Sequence, residues 1–260
     1  MILAIDSGNT NIVFAVYEGA KMRAQWRAVT KVSRTADEYA VWLSQLLALE
    51  GLSFKDLNTA IIATVVPAVL FDLRDLCRKY LKLEPMRVGD PALDLGAPPE
   101  VDRPETIGAD RLCNTVAAHA SYPGAVIVVD FGTATNFDIV AENGAFSGSI
   151  IAPGANLSIE ALHQAAALLP RVAINRAQKV IGRDTVTSMQ SGIYWGYVGL
   201  IDGLITHIKA EYGRPMTVVA TGGLAHLFRP DLPAIEHIDP DLTMRGLMLI
   251  HARNPAKRVI

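Results

Sequence analysis

An α/β fold of two similar halves is what this 260-residue sequence predicts, and three observations predict it. The pattern Asp-x-Gly occurs twice between apolar stretches, at Asp6-Ser7-Gly8 and at Asp130-Phe131-Gly132. Each copy heads a run of three strand-like segments. Helical segments then alternate with further strands, and this order restarts once along the chain. Half of the residues are apolar and 19% are charged, which is ample for a core. A chain of this length makes one large domain or two lobes of about 100–150 residues each. The restart favours two lobes, residues 1–115 and 116–260.

The first half reads as strands at residues 2–6, 11–18 and 22–29. Thr35-Ala36-Asp37-Glu38 is a capping box, in which the Thr hydroxyl and the Glu carboxylate each satisfy a free amide. It opens a helix whose apolar residues Tyr39, Trp42, Leu43, Leu46 and Leu47 recur at helical spacing, with Gly51 as terminator. Residues 59–66 form an apolar strand, and Pro67 opens a helix to about residue 81. Residues 89–106, rich in Pro, Gly and Asp, read as a surface loop, followed by a helix at 109–121. The second half restarts with strands at 125–130, 135–140 and 144–151. Helices at 156–169 and 185–212 follow, then a strand at 216–221 that ends in Gly222-Gly223. Asp239-Pro240 caps a closing helix to residue 251.

Composition excludes several classes of function. With 24 basic and 26 acidic residues, net charge is −2 and the chain writes no basic face for nucleic acid. The two cysteines, Cys77 and Cys113, lie far apart, which argues against a disulfide framework or zinc site and fits a reducing compartment. The amino terminus has no signal-peptide pattern, and no apolar stretch approaches the roughly 18–20 residues of a membrane span. A cytoplasmic protein with no membrane and no nucleic-acid partner is expected.

A strand that ends in Asp, turns on Gly and returns as a second strand presents backbone amides and small hydroxyls above its loop. Two such loops facing each other would grip a polyphosphate from both sides, with the aspartates available to a cation. Asp and Gly are also ordinary turn residues, but two copies, each at the head of a three-strand run, favour a nucleotide-dependent phosphotransferase. The more common nucleotide signatures are absent: the chain has no Gly-Lys pair and no two glycines two residues apart.

The combination Asp6-Ser7-Gly8-Asn9-Thr10-Asn11, Gly108-Ala109-Asp110-Arg111, Asp130-Phe131-Gly132-Thr133-Ala134-Thr135 and Ile181-Gly182-Arg183-Asp184-Thr185 resembles the type III pantothenate kinases. Ile151-Ala152-Pro153-Gly154, Ser188-Met189-Gln190-Ser191-Gly192 and Thr221-Gly222-Gly223 extend the match over nearly the whole chain. The resemblance implies two duplicated ribonuclease H-like lobes of the actin-like ATPase fold, with a nucleotide cleft between them. It also implies a homodimer, Mg²⁺-ATP, a monovalent cation (K⁺ or NH₄⁺), and phosphorylation of pantothenate to 4'-phosphopantothenate.

Site residues follow from both sources. Asp6, Ser7, Gly8, Asn9, Thr10, Asn11, Ile12 and Val13 form the first phosphate loop. In it, Gly8 allows a tight turn, Asn9, Thr10 and Asn11 supply donors, and Asp6 suits Mg²⁺. Read alone, Asp110 and Arg111 are an N-terminal helix Asp with a solvated Arg. The resemblance implies instead that Gly108, Ala109, Asp110 and Arg111 bind substrate. Asp110 is then the general base, kept ionised by helix-terminal amides, and Arg111 meets the substrate carboxylate. Asp130 resembles the family's monovalent-cation ligand, Gly132 and Thr133 form the second phosphate loop, and Gly222 and Gly223 lie near adenine and ribose. Thr185 resembles a substrate-binding threonine, in a position that also suits an N-cap. Asp138 is expected on the surface of the return strand. At Val101, three residues before Pro104, many family members carry a tyrosine that contacts substrate, so Val101 is only a weak pocket candidate.

Overall fold

Strand alternation in the first half sends Leu3 and Ile5 of β1 (Ile2–Ser7) to one side of a sheet and Ala4 and Asp6 to the other. The computed structural model describes residues 1–166 and 169–255. β1 pairs antiparallel with β2 (Asn11–Glu18), which pairs antiparallel with β3 (Lys21–Val29). On its other edge β1 pairs parallel with β4 (Thr59–Thr64), and β4 with the short β5 (Met86–Arg87), giving the order β3-β2-β1-β4-β5. Leu3, Ile5 and Phe14 pack under Tyr39, Leu43 and Leu47 of α1 (Ala36–Leu49) and under Val69 and Leu73 of α2 (Pro67–Leu76). The α1 capping box is present, with Glu38 N donating to Thr35 Oγ1 at 3.3 Å and Thr35 N donating to Glu38 Oε2 at 2.8 Å.

The opposite face is lined by small residues, Ala4, Ala15 and Ala63, which let two helices come close. These are α3 (Ala109–Ser121), through Leu112 and Cys113, and α7 (Leu242–Arg253), through Met244, Leu247 and Ile250. α3 and α7 cross so tightly that a Cβ on Gly246 would lie 2.0 Å from the Cys113 carbonyl oxygen. Thr243 Oγ1 donates to Asn114 Oδ1 at 2.7 Å across the same crossing.

The second sheet repeats the plan. β6 (Ala125–Phe131), β7 (Ala134–Val140) and β8 (Phe146–Pro153) form an antiparallel run. β9 (Met216–Gly222) pairs parallel with β6, and β10 (His237–Ile238) pairs parallel with β9. Read as β8-β7-β6-β9-β10, order and strand sense match the first sheet element for element. α5 (Thr185–Tyr212) lays Tyr194, Tyr197, Ile201 and Ile205 against Ile127, Val129 and Phe137. α4 (Ala155–Ala165) and α6 (Ala225–Phe228) complete this half.

The chain forms two compact units: residues 1–98 and 102–117 with the segment from Leu242 onward, and residues 99–101 with 118–241. This grouping differs from a single division near residue 115, because α7 contributes to the core of the first unit. Glu100 N donates to the Phe146 carbonyl at 2.8 Å, which fastens residues 99–101, including Val101, to the second unit.

Several expectations are corrected. α2 stops at Leu76, and Cys77–Leu81 form a π turn closed by Lys82 in the left-handed region (φ 59°). α4 ends at Ala165; of the helix expected to 169, residues 167–168 lie outside the described residues. The closing helix starts at Leu242, not directly after Asp239-Pro240. Asp138 is not a surface residue: it is fully buried (0% exposed) in the middle of β7, facing Val128 on one side and Ser149 on the other. Among the described residues no helix is long and apolar enough to cross a membrane.

Candidate active site

The first loop lies between β1 and β2, where Asp6 pairs with Val13 and Ser7 with Ile12. Gly8 N donates to the Asn11 carbonyl at 2.9 Å and closes the turn. Asn9 and Thr10 are exposed and Asn11 is half-buried, so three polar residues rim the turn. Ser7 and Ile12 are fully buried, and the Ser7 Oγ has no hydrogen-bond partner among the described residues. These two can therefore offer a ligand only backbone, and Val13 is half-buried on β2. Thr30, just after β3, braces the loop: its amide donates to the Thr10 carbonyl at 3.0 Å and its hydroxyl to the Gly8 carbonyl at 2.7 Å.

The second loop lies between β6 and β7, where Asp130 pairs with Asn136 and Phe131 with Thr135. Gly132 N donates to the Ala134 carbonyl at 3.1 Å, and Gly132 and Thr133 are exposed. With Asp6 and Gly8 laid on Asp130 and Gly132, the return strands are out of step by one residue. Asp6 faces Val13 but Asp130 faces Asn136, so the second loop is one residue shorter and the flanking apolar positions do not all coincide.

The glycines also differ from expectation. Neither Gly8 nor Gly132 has a positive φ; a Cβ on Gly8 would touch Asn11 O at 3.4 Å, and one on Gly132 would crowd Ala134 O at 3.3 Å and touch Asp130 Oδ1 at 3.8 Å. Backbone strain at these turns does not demand glycine; its absent side chain keeps the space above each turn clear. Gly222, with φ +88°, is required: a Cβ would meet Phe131 O at 2.6 Å and Asp130 Oδ1 at 2.7 Å. It makes room for the Asp130 carboxylate, whereas Gly223 borders open space. Gly154, named by motif alone in the sequence, is the tightest neighbour of the second loop. Its amide donates to the Thr133 carbonyl at 3.1 Å, and a Cβ would stand 2.2 Å from that oxygen.

Asp110 sits in the first turn of α3, directly after Gly108 and the buried Ala109. A Cβ on Gly108 would lie 2.5 Å from Asp110 Oδ1, so glycine lets the carboxylate fold back over the helix start. That oxygen accepts from Arg111 N at 2.8 Å. Burial raises the Asp110 carboxyl above its ordinary range, against the opposing pull of the Arg111 amide and guanidinium. This reverses the sequence argument, in which helix amides alone set the direction: desolvation outweighs them. Asp6 and Asp110 act on the same thiol, Cys113, which burial first, and then these two carboxylates, push well above its usual value. The structure thus brings together Asp6 and the Gly108–Arg111 motif in one unit, and Asp130, Gly132, Thr133 and Gly222 in the other.

Thr185 is the first residue of α5, but the N-cap is Asp184, whose carboxylate accepts from Thr187 N at 2.9 Å. That bond holds the Asp184 carboxyl below its usual range. Thr185 is exposed and lines a cavity of about 800 Å³ together with Leu162, Gly182, Arg183, Met189 and Ile193. Gly182 lies on the first turn of α5, where a Cβ would stand 2.4 Å from Ser188 N.

Cation donors are sparse. Among the described residues no group of three or more His, Cys, Asp or Glu could hold a metal. Single carboxylates suit a hard cation whose remaining ligands are phosphate oxygens and water. Asp6, near the end of β1, fits that donor set, and Asp130, whose Oδ1 borders Gly222, offers a second carboxylate.

Two mixed sheets of one topology, each opening with an acidic hairpin, define a duplicated α/β fold of the actin-like class. The activator of the 2-hydroxyisocaproyl-CoA dehydratase from Clostridium difficile, solved with bound ADPNP, shares this fold. Its TM-score is 0.53 over 96% of this chain and 92% of that one, at 9% identity. The model of the type III pantothenate kinase family matches residues 2–207, and this chain belongs to that family. A type III pantothenate kinase of Paramagnetospirillum magneticum is 61% identical over 254 residues, covering 98% of each chain. One from Rhodospirillum rubrum is 59% identical over 98% of this chain and 99% of its own length.

Proposed function

We propose that this protein transfers the γ-phosphoryl group of ATP to the primary hydroxyl of pantothenate. The product is 4'-phosphopantothenate, and the reaction opens coenzyme A synthesis. Family membership supports the substrate pair. The observation that carries the mechanism is the placement of Asp110 in the same unit as the first loop, with Asp6 and Asp110 within electrostatic reach of one buried thiol.

Phosphoryl transfer asks a protein for positioning and charge neutralisation. The two turns closed at Gly8 and Gly132, through Asn9, Thr10, Asn11 and Thr133, bind phosphate oxygens. Gly222 and Gly223 leave the end of β9 flat for the nucleoside. Asp110 accepts the proton of the substrate hydroxyl as that oxygen attacks phosphorus. A carboxylate whose pKa is raised towards the working pH is a better base than an ordinary one. Arg111 pairs with the pantothenate carboxylate, and Thr185 hydrogen-bonds the substrate from the cavity at the start of α5. Asp6 would hold Mg²⁺ and Asp130 a monovalent cation; both ions, when bound, neutralise phosphate charge. A homodimer is supported by large apolar side chains left exposed in the second unit, among them Ile151, Leu157, Val180 and Ile181. Sedimentation at micromolar concentration checks it, and a monomer there removes it. The free, buried thiols of Cys77 and Cys113 support a cytoplasmic location, which cell fractionation tests.

The deciding experiment couples ADP release to a spectroscopic readout, with and without pantothenate and with and without K⁺. Turnover is expected only when both are present. ADP release that is indifferent to pantothenate but follows a sugar or another hydroxyl substrate would overturn the substrate assignment. Turnover unaffected by K⁺ or NH₄⁺ would remove the monovalent cation.

A further inference from the structure

Tyr197 is a phenol on α5 with only 4% of its surface exposed. Its single proton goes to the Pro153 carbonyl at 3.0 Å, since a carbonyl can only accept. Its oxygen accepts in turn from the Thr135 hydroxyl and the Ala155 amide. Thr135, 1% exposed, is the residue of β7 that pairs with Phe131 across the second loop. Pro153 ends β8 and Ala155 opens α4. Between them stands Gly154, whose amide holds the Thr133 carbonyl and whose Cα leaves no room for a side chain there. One hydroxyl therefore ties β7 to the Pro153–Ala155 stretch, the two segments that flank Gly132 and Thr133. Packing alone does not explain the residue: the ring lies tilted against Phe228 at a centroid distance of 5.1 Å, a contact phenylalanine would make equally well. Burial raises the phenol, which keeps it a neutral donor through the neutral range.

We infer that Tyr197 is a positioning residue for ATP: through Thr135, the Pro153 carbonyl and the Ala155 amide it holds the Gly132–Thr133 turn in the conformation that receives phosphate oxygens. This rests on reading Gly132–Thr133 as a phosphate loop. Tyr197→Phe keeps the ring and deletes only the hydroxyl. Loss of one buried, hydrogen-bonded hydroxyl should raise the KM and the Kd for ATP about five- to tenfold. The KM for pantothenate should stay within about twofold, because Thr185 lies some twelve residues earlier on α5, about 18 Å along the helix axis. Thr135→Val, which removes only one of the three bonds of that hydroxyl, should weaken ATP binding less, and the double variant should be no weaker than Tyr197→Phe alone, since that change already removes the shared bond.

The full-length chain is used for ATP binding by calorimetry, for steady-state kinetics and for melting. Unchanged ATP binding with a lowered melting temperature would make Tyr197 merely structural and overturn the inference, as would equal changes in both KM values or additive losses in the double variant. Thr133→Asp separates this from the underlying reading. A carboxylate in a phosphate loop should abolish ATP binding. If Thr133→Asp binds ATP like the wild type, the loop assignment falls and the inference with it. If it abolishes binding while Tyr197→Phe changes nothing, only the positioning role falls.

Discussion

In the first unit the residue after the third strand, Thr30, donates its amide to the Thr10 carbonyl at 3.0 Å. In the second, the residue after the third strand, Gly154, donates its amide to the Thr133 carbonyl at 3.1 Å. The duplicated scaffold thus anchors both hairpins by the same backbone bond, and everything beyond that bond differs. Thr30 adds a hydroxyl, bonded to the Gly8 carbonyl, over a loop that is one residue longer. Gly154 adds only proximity, and the second loop is then fixed from beneath by Tyr197. The first unit also carries Asp110, the proposed base. Topology and the backbone anchor are common to both halves, while side-chain support and chemistry have been assigned to each half separately.

Asp110→Asn separates chemistry from grip most strongly. Turnover should fall about 10²–10⁴-fold with ATP affinity retained; near-normal turnover would remove Asp110 from the mechanism. The same variant has an opposite signature in stability. The folded-state pKa of Asp110 is raised by burial, so the ionised form is disfavoured in the fold. Its contribution to stability is fully present below the unfolded value of about 3.9 and is lost as pH rises through the higher folded value. Asp110→Asn, which never ionises, should melt above the wild type at neutral pH and level with it in acid. A variant that melts lower at neutral pH would contradict the raised value.

Gly154→Ala comes next. Its Cβ cannot coexist with the Thr133 carbonyl where it stands, and overpacking of this kind costs about 1–3 kcal/mol. Weakening of ATP binding by about tenfold or more is expected, read by calorimetry alongside a melt. Thr30→Val is milder: it deletes one hydrogen bond and keeps the backbone anchor, so ATP affinity should drop about fivefold or less. If Thr30→Val proves as damaging as Gly154→Ala, the contrast between a side-chain brace and a backbone contact is wrong.

The fold was legible where a local rule decides the outcome. The bounds of α3 and α5 and the capping box at Thr35 follow from periodicity and capping chemistry, and the observed elements match them. β5 and β10, two residues each, have no period to detect. The π turn at Cys77–Leu81 replaces a helix end whose apolar spacing continues without a break. At the site, the motifs located the residues but not their surroundings. Nothing in a strand pattern says that Asp138 is buried, because burial is decided by the packing around the sheet and not by the strand itself. Asp184, one residue before Thr185, takes the capping role that either could fill. The direction of the Asp110 shift depends on desolvation, which only packing supplies. Tyr197 carried one faint signal, a phenol on the apolar stripe of α5, and Thr30 carried none.

The last described helix, α7, completes the core of the unit that begins at residue 1, with the bare Cα of Gly246 pressed on Cys113. During synthesis, the half that leaves the ribosome first is therefore the last to be finished. Until α7 emerges, the side of α3 that α7 covers lies open, whereas the middle of the polypeptide already contains every strand of its own sheet. The order of maturation runs opposite to the order of translation, and early cleavage by proteases would select the N-terminal half.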